Sequence, residues 1–134
     1  AKVISIIKKE SLLIEEEDLK KFNIEEDDIV IIKTINSFEE DRKEFTKNFV
    51  SLGESGAQYL IDRKIRSVGM DYISIEKYGT EDAKVHKMLL SKGIGIIEDL
   101  YLKDVKDGEY FLECLPLKLV EGNGSPVRAV LIEF

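Results

Sequence analysis

Residues 86–134 read HKMLLSKGIGIIEDLYLKDVKDGEYFLECLPLKLVEGNGSPVRAVLIEF, and this stretch decides the fold. It opens helically and then passes through three strand-like segments, 94–98, 110–117 and 127–133, with turns at 107–108 and 121–125 but no helix between them. Parallel neighbours need a long crossover, so strands that follow one another directly exclude a purely parallel doubly wound sheet. Upstream, Val85, Met88 and Leu89 share one face of a helix expected over 81–91, which Gly93 closes. A second helix is expected over 51–65, where Ala57, Leu60, Ile61 and Ile65 recur at helical spacing and Ser51 or Ser55 supplies the cap.

Between these helices, 68–71 reads as a short strand leading into a loop over 72–78. Further back, IVIIK at 29–33 is the clearest buried strand, entered from an acidic turn at 25–28. Residues 36–48 are polar and read as a loop with one helical turn. Residues 14–22 open with carboxylates that suit a helix N-terminus, and 3–7 is a β-branched strand. Strands and helices alternate and then strands run together, which predicts a mixed α/β fold. No repeat, low-complexity tract or linker interrupts the 134 residues, so one domain over 1–134 is expected.

Composition narrows the partners. A hydrophobic fraction of 43% with 35% charged residues excludes a disordered chain. The net charge of −7 argues against nucleic acid and anionic membranes, which need clustered cations. The single cysteine, Cys114, forms no internal disulfide and fits a reducing cytoplasm; it reads as a small core residue. No apolar run is long enough to cross a membrane. Abundant Lys, Glu and Ile with no Trp resembles thermophile usage.

The chemistry concentrates on few residues. His86 is the only histidine, and Glu98 lies twelve residues later at the end of an apolar strand, so a helix, a Gly turn and a strand can bring imidazole and carboxylate together. Both suit a zinc, manganese or iron ion. Taken alone, a solitary histidine on an amphipathic helix is more often an ordinary surface or core residue, and Glu98 more often just ends its strand. Gly53-Glu54-Ser55-Gly56 misses the spacing of a nucleophile elbow by one residue, and the Gly-rich turn at 121–125 opens no helix and carries no phosphate-loop lysine.

His86 and Glu98 at this spacing, Gly69-Met70-Asp71-Tyr72-Ile73-Ser74 and the closing Gly122-Asn123-Gly124-Ser125-Pro126-Val127-Arg128 resemble the cyclase family of metal-dependent hydrolases, which includes bacterial kynurenine formamidase. The resemblance is strongest over 45–134 and continues more weakly to residue 1. It implies a swivelling β/β/α architecture, with a mixed, partly barrel-like sheet surrounded by helices. It further implies a divalent metal, zinc or manganese, held by His86 and Glu98, with Asp71 orienting the imidazole from behind; Asp71 reads equally well as a carboxylate that hydrogen-bonds loop backbone. The substrate implied is a small-molecule amide or ester. For the closing turn it implies a structural role, with glycines free to take positive φ and Pro126 fixing the exit.

Family members carry a His-x-Gly-Thr-His-x-Asp segment near the N-terminus that supplies most of the metal ligands, and no such segment occurs in these 134 residues. The chain is therefore expected to hold half a metal site and to be inactive alone. An uncovered sheet edge or apolar groove is expected to drive a homodimer or higher homo-oligomer. A Gly-Trp or other aromatic element expected after the strand 29–33 is replaced by Thr34-Ile35-Asn36-Ser37-Phe38, which weakens the case for an aryl-formamide substrate. The competing expectation is a non-catalytic relative that has lost its metal and binds a partner or small molecule.

Overall fold

A computed structural model of the chain describes residues 1–39 and 44–134. The fold is mixed α/β, as the sequence predicts. A five-stranded sheet runs β6 (Gly95–Ile97), β5 (Ser67–Met70), β3 (Ile29–Lys33), β1 (Lys2–Ser5), β7 (Gly108–Glu109). The first four strands are mutually parallel and β7 is antiparallel to β1. Helices α1 (Glu16–Leu19), α2 (Glu54–Asp62) and α3 (Lys84–Leu90) supply the crossovers. Among the described residues two further strands, β8 (Phe111–Pro116) and β9 (Val127–Ile132), pair only with each other, as an antiparallel hairpin.

Strand β3 is covered on both faces, which is why its sequence is continuously apolar and not alternating. Val30 and Ile32 join Ile4, Val68 and Met70 in a core packed with Leu60, Ala57, Val85 and Leu89 of the helices. Ile31 and Val3 point the other way, against Leu102 and Tyr110, with Leu112 and Leu131 of the hairpin partly buried over them. Fully burying a side chain such as Leu60, at 0% exposure, contributes roughly 1.5–3 kcal/mol.

The helices are shorter than the sequence suggests. Residues 51–52, expected to begin the second helix, instead form β4 (Ser51–Leu52), which pairs in parallel with β2 (Leu13–Ile14). Gly53 is then the N-cap of α2, and neither Ser51 nor Ser55 fills that place. Ser55 serves α1 instead: its hydroxyl accepts from the backbone N–H of Glu16 at 3.1 Å and donates to Glu15. In α1, Asp18 accepts from the Glu15 N–H at 3.0 Å and from Lys8 at 2.5 Å, so the acidic run caps its own helix. Burial works to raise the pKa of Asp18, but those two partners outweigh it and hold the carboxyl below its ordinary value.

Two local expectations change. Gly122 and Gly124 do not take positive φ; Glu121 does, at 54°, while Gly122 lets the turn pass close to Leu119. Cys114 is half-buried on the hairpin and does not sit in the core. Gly93 has a φ of 74° just beyond α3, as a helix terminator should. In the segment 36–48, a 3₁₀ turn occupies Ile35–Phe38, while 40–43 lie outside the described residues.

Candidate metal centre

The carboxyl ends of the parallel strands gather the polar residues of the domain, as open α/β sheets do. Glu98 follows β6 there, and the chain turns at once: Asp99 takes a φ of 57°, which few residues other than glycine adopt. The Asp99 N–H donates to Tyr72 O at 2.7 Å and the Leu100 N–H to Met70 O at 3.1 Å, tying the turn to the end of β5. The Glu98 side chain is thereby fixed. Its Oε1 accepts from the Ile75 N–H at 2.8 Å, and Oε2 has no hydrogen-bond partner among the described residues.

His86 sits in the first turn of α3, and the structure brings it to Glu98: Nε2 is 3.2 Å from Glu98 Oε1. On the other side of the ring, Nδ1 is 2.6 Å from Oε2 of Glu76. Glu76 is 4% exposed, and its Oε1 also accepts from the Val85 N–H at 3.1 Å. Burial works against a charged imidazole, yet hydrogen bonds to Glu76 and Glu98 and their negative charges raise the pKa of His86 above its ordinary value. Burial likewise pushes Glu76 up, and the hydrogen bond from His86 with the backbone N–H donors of Val85 and His86 brings it below.

Asp71 is placed differently. Its carboxylate is wholly buried and receives the N–H groups of Thr34 (2.7 Å) and Ser37 (3.0 Å), together with the Thr34 and Ser37 hydroxyls. The carboxylate on the histidine is Glu76. Nothing in the sequence singled Glu76 out, because its nearness to His86 depends on how the loop 72–83 folds back over the start of α3. One signal was available: Ala83, the N-cap, has no side-chain acceptor to offer the helix.

Two recesses meet at His86. One, of about 770 Å³, lies between the body and the hairpin and is bordered by His86, Glu98, Ile96, Cys114, Pro116 and Val127. The other, of about 230 Å³, is lined by Phe45, Phe49, Glu76, Tyr78 and His86. Phe49 stacks on Tyr72 with ring centres 4.2 Å apart, and Lys47 Nζ stands 4.9 Å from the Tyr78 ring centre. The aromatic side chains beside His86 thus come from 45–49 and from Tyr78, not from the stretch after β3.

A divalent ion can be tested against these side chains. His86 Nε2 and Glu98, whose Oε1 lies 3.2 Å away and whose Oε2 has no hydrogen-bond partner among the described residues, are donors of the types that zinc and manganese accept. The second ring nitrogen is already engaged by a carboxylate, as in most histidines that bind metal. The donor set is partial: no group of three His, Cys, Asp or Glu able to hold an ion occurs among the described residues.

The family model for Cyclase, described as putative cyclase, matches residues 1–77, which takes in the stretch before residue 45 where the sequence resemblance was weaker and the first part of the stretch where it was strongest. The chain is 33% identical over 131 residues to kynurenine formamidase of Bacillus cereus, an alignment covering 98% of the chain and 61% of that protein. It is 44% identical over 93 residues to Cyclase-like protein 2 of Oryza sativa subsp. japonica, covering 69% of the chain and 34% of the relative. A solved structure of a potential metal-dependent hydrolase with cyclase activity superposes with a TM-score of 0.89 at 40% identity, over 97% of the chain and 62% of that structure. The chain thus spans about three fifths or less of the length of these relatives. With a family model covering more than half of its residues, the chain belongs to the cyclase family.

Proposed function

We propose that His86 Nε2 and Glu98 are two ligands of one divalent ion, zinc or manganese, in a hydrolase that cleaves a small-molecule amide or ester. The observation that carries this reading is the meeting of the sole histidine and Glu98 at 3.2 Å, with the opposite ring nitrogen held by Glu76. A divalent ion in such a site supplies Lewis acidity toward a carbonyl and toward water. The chain's own residues present the ion's donors, and the recess at Phe45, Phe49 and Tyr78 offers an apolar wall beside them. The remaining ligands come from residues outside these 134, and the reaction belongs to the longer protein, placed in the reducing cytoplasm that a single cysteine suits.

One observation favours the non-catalytic alternative, namely that no third donor joins His86 and Glu98 among the described residues. Reading the coding sequence upstream of Ala1 and assaying the continuous chain separates the two. The hydrolase reading expects a His-x-Gly-Thr-His-x-Asp segment there and metal-dependent cleavage of N-formylkynurenine or a simple aryl formamide. It also expects that cleavage to be lost in His86→Ala and Glu98→Ala. An upstream sequence without such ligands supports the alternative. The 134-residue chain by itself should hydrolyse these compounds no faster than buffer with zinc or manganese added.

The assembly proposed is a homodimer or higher homo-oligomer built on the hairpin. The accessible surface is 8681 Å², against roughly 7,100 Å² for a compact chain of this mass. Much apolar surface stands on and around β8 and β9, where Phe111, Leu115, Leu117, Val120 and Val127 are at least 40% exposed. A two-stranded ribbon is marginal by itself, and a second copy covering it removes both the open edges and the apolar face.

A further inference from the structure

We infer that Glu76 is a positioning residue: it holds the His86 proton on Nδ1 and so leaves the Nε2 lone pair facing Glu98. The inference rests on the reading that Nε2 and Glu98 share an ion, and it deepens that reading by naming what prepares the ligand.

Two carboxylates compete for the single proton of the neutral ring. Glu76 lies 2.6 Å from Nδ1 and Glu98 3.2 Å from Nε2. The Glu76 side chain is 4% exposed, whereas the Glu98 side chain is 32% exposed and open to solvent. A buried carboxylate left without its donor is the costlier outcome, so the proton goes to Glu76. Only that tautomer offers Nε2 as a donor to a cation.

The geometry of Glu76 also sets what an amide would do in its place. Its Oε1 accepts from the Val85 N–H at 3.1 Å, while Oε2 faces the His86 backbone N–H at 3.4 Å and Nδ1 at 2.6 Å. Both carboxylate oxygens therefore face donors. A glutamine has one acceptor and one donor group. The Val85 N–H cannot become an acceptor, but the imidazole can change tautomer. The glutamine oxygen therefore stays on the helix N–H and its NH₂ donates to Nδ1, which moves the ring proton to Nε2, toward Glu98. Glu76→Gln keeps the capping bond of α3 and inverts the histidine.

The chain has one histidine, so two-bond ¹H–¹⁵N correlation spectra of the imidazole, taken above its pKa, report this site alone. The wild-type chain should show a protonated Nδ1, and Glu76→Gln a protonated Nε2 with the backbone amide spectrum retained. Glu98→Gln should leave Nδ1 protonated. Zinc titrated into the same samples should bind about 10–100-fold more weakly to Glu76→Gln than to wild type. A wild-type ring protonated on Nε2 overturns the inference without any variant, as does a Glu76→Gln ring still protonated on Nδ1 in a folded protein. If the tautomer inverts but zinc ignores His86→Ala and Glu98→Ala, the positioning stands and the shared-ion reading falls.

Discussion

Replacing Asp71 with alanine removes the carboxylate on which the turn after β3 is built. The side chain is wholly buried, and so are its partners Thr34 and Ser37, at 0% and 1% exposure. Two backbone N–H groups, at 2.7 and 3.0 Å, lose their acceptor with no solvent to replace it. Each such orphan costs about 1–3 kcal/mol, while the two hydroxyls can rotate toward other acceptors. The sum is about 4 kcal/mol, a large part of the 5–15 kcal/mol that holds a typical domain. Urea denaturation of Asp71→Ala against wild type measures it from the change in midpoint at constant slope. Asp71→Asn, which retains one acceptor, should fall between the two. A loss below about 1 kcal/mol for alanine would refute the claim that this carboxylate organises the turn. Because the histidine is held by Glu76, the imidazole spectrum of His86 should be unchanged in Asp71→Asn.

Gly56→Ala places a methyl 2.5 Å from the Ile14 carbonyl oxygen, so overpacking of about 1–3 kcal/mol outweighs the roughly 1 kcal/mol gained in helix propensity. Thermal unfolding should move down, and a stabilised variant would contradict the packing of α2 on β2. Stability of the metal-free chain should be greatest between about pH 4.5 and 6.5. The depressed carboxyls of Asp18, Asp28 and Glu76 contribute fully above the ordinary carboxylate range, and their contribution is lost as pH falls through their folded values. The raised imidazole of His86 contributes fully below its ordinary value, and its contribution is lost as pH rises through its folded value. A midpoint temperature that climbs steadily from pH 6 to 9 would oppose this, and His86→Ala should flatten the alkaline side. Light scattering at micromolar concentration should give a mass above 15.3 kDa, and a single-chain mass would contradict the hairpin interface.

The parts of the fold written in local pattern were legible. Segments 29–33, 68–71 and 94–98 are short apolar runs between turns, and each became a strand of the parallel sheet. The terminal pair of strands was equally plain, because the Gly-rich turn at 121–125 lies between two apolar segments. What stayed hidden depends on distant partners. The two-residue ladder of β2 with β4 has no periodicity to detect, and it takes residues 51–52 away from an otherwise good helix. At the site, the pairing of His86 with Glu98 follows from one helix, one turn and one strand, so spacing reveals it. Glu76 and Asp71 are both carboxylates near strand or loop ends, and only the path of the loop 72–83 decides which one reaches the imidazole. The aromatic wall escaped for the same reason, since Phe45 and Phe49 come from one loop and Tyr78 from another.

The most direct test of the shared ion is an anomalous difference map, at the zinc edge, from crystals of the chain soaked in zinc. The account predicts a peak between the two side chains, about 2.0–2.2 Å from both His86 Nε2 and a Glu98 oxygen, with Nδ1 still on Glu76. A peak bound through Nδ1, or zinc elsewhere on the molecule with none between His86 and Glu98, would contradict it.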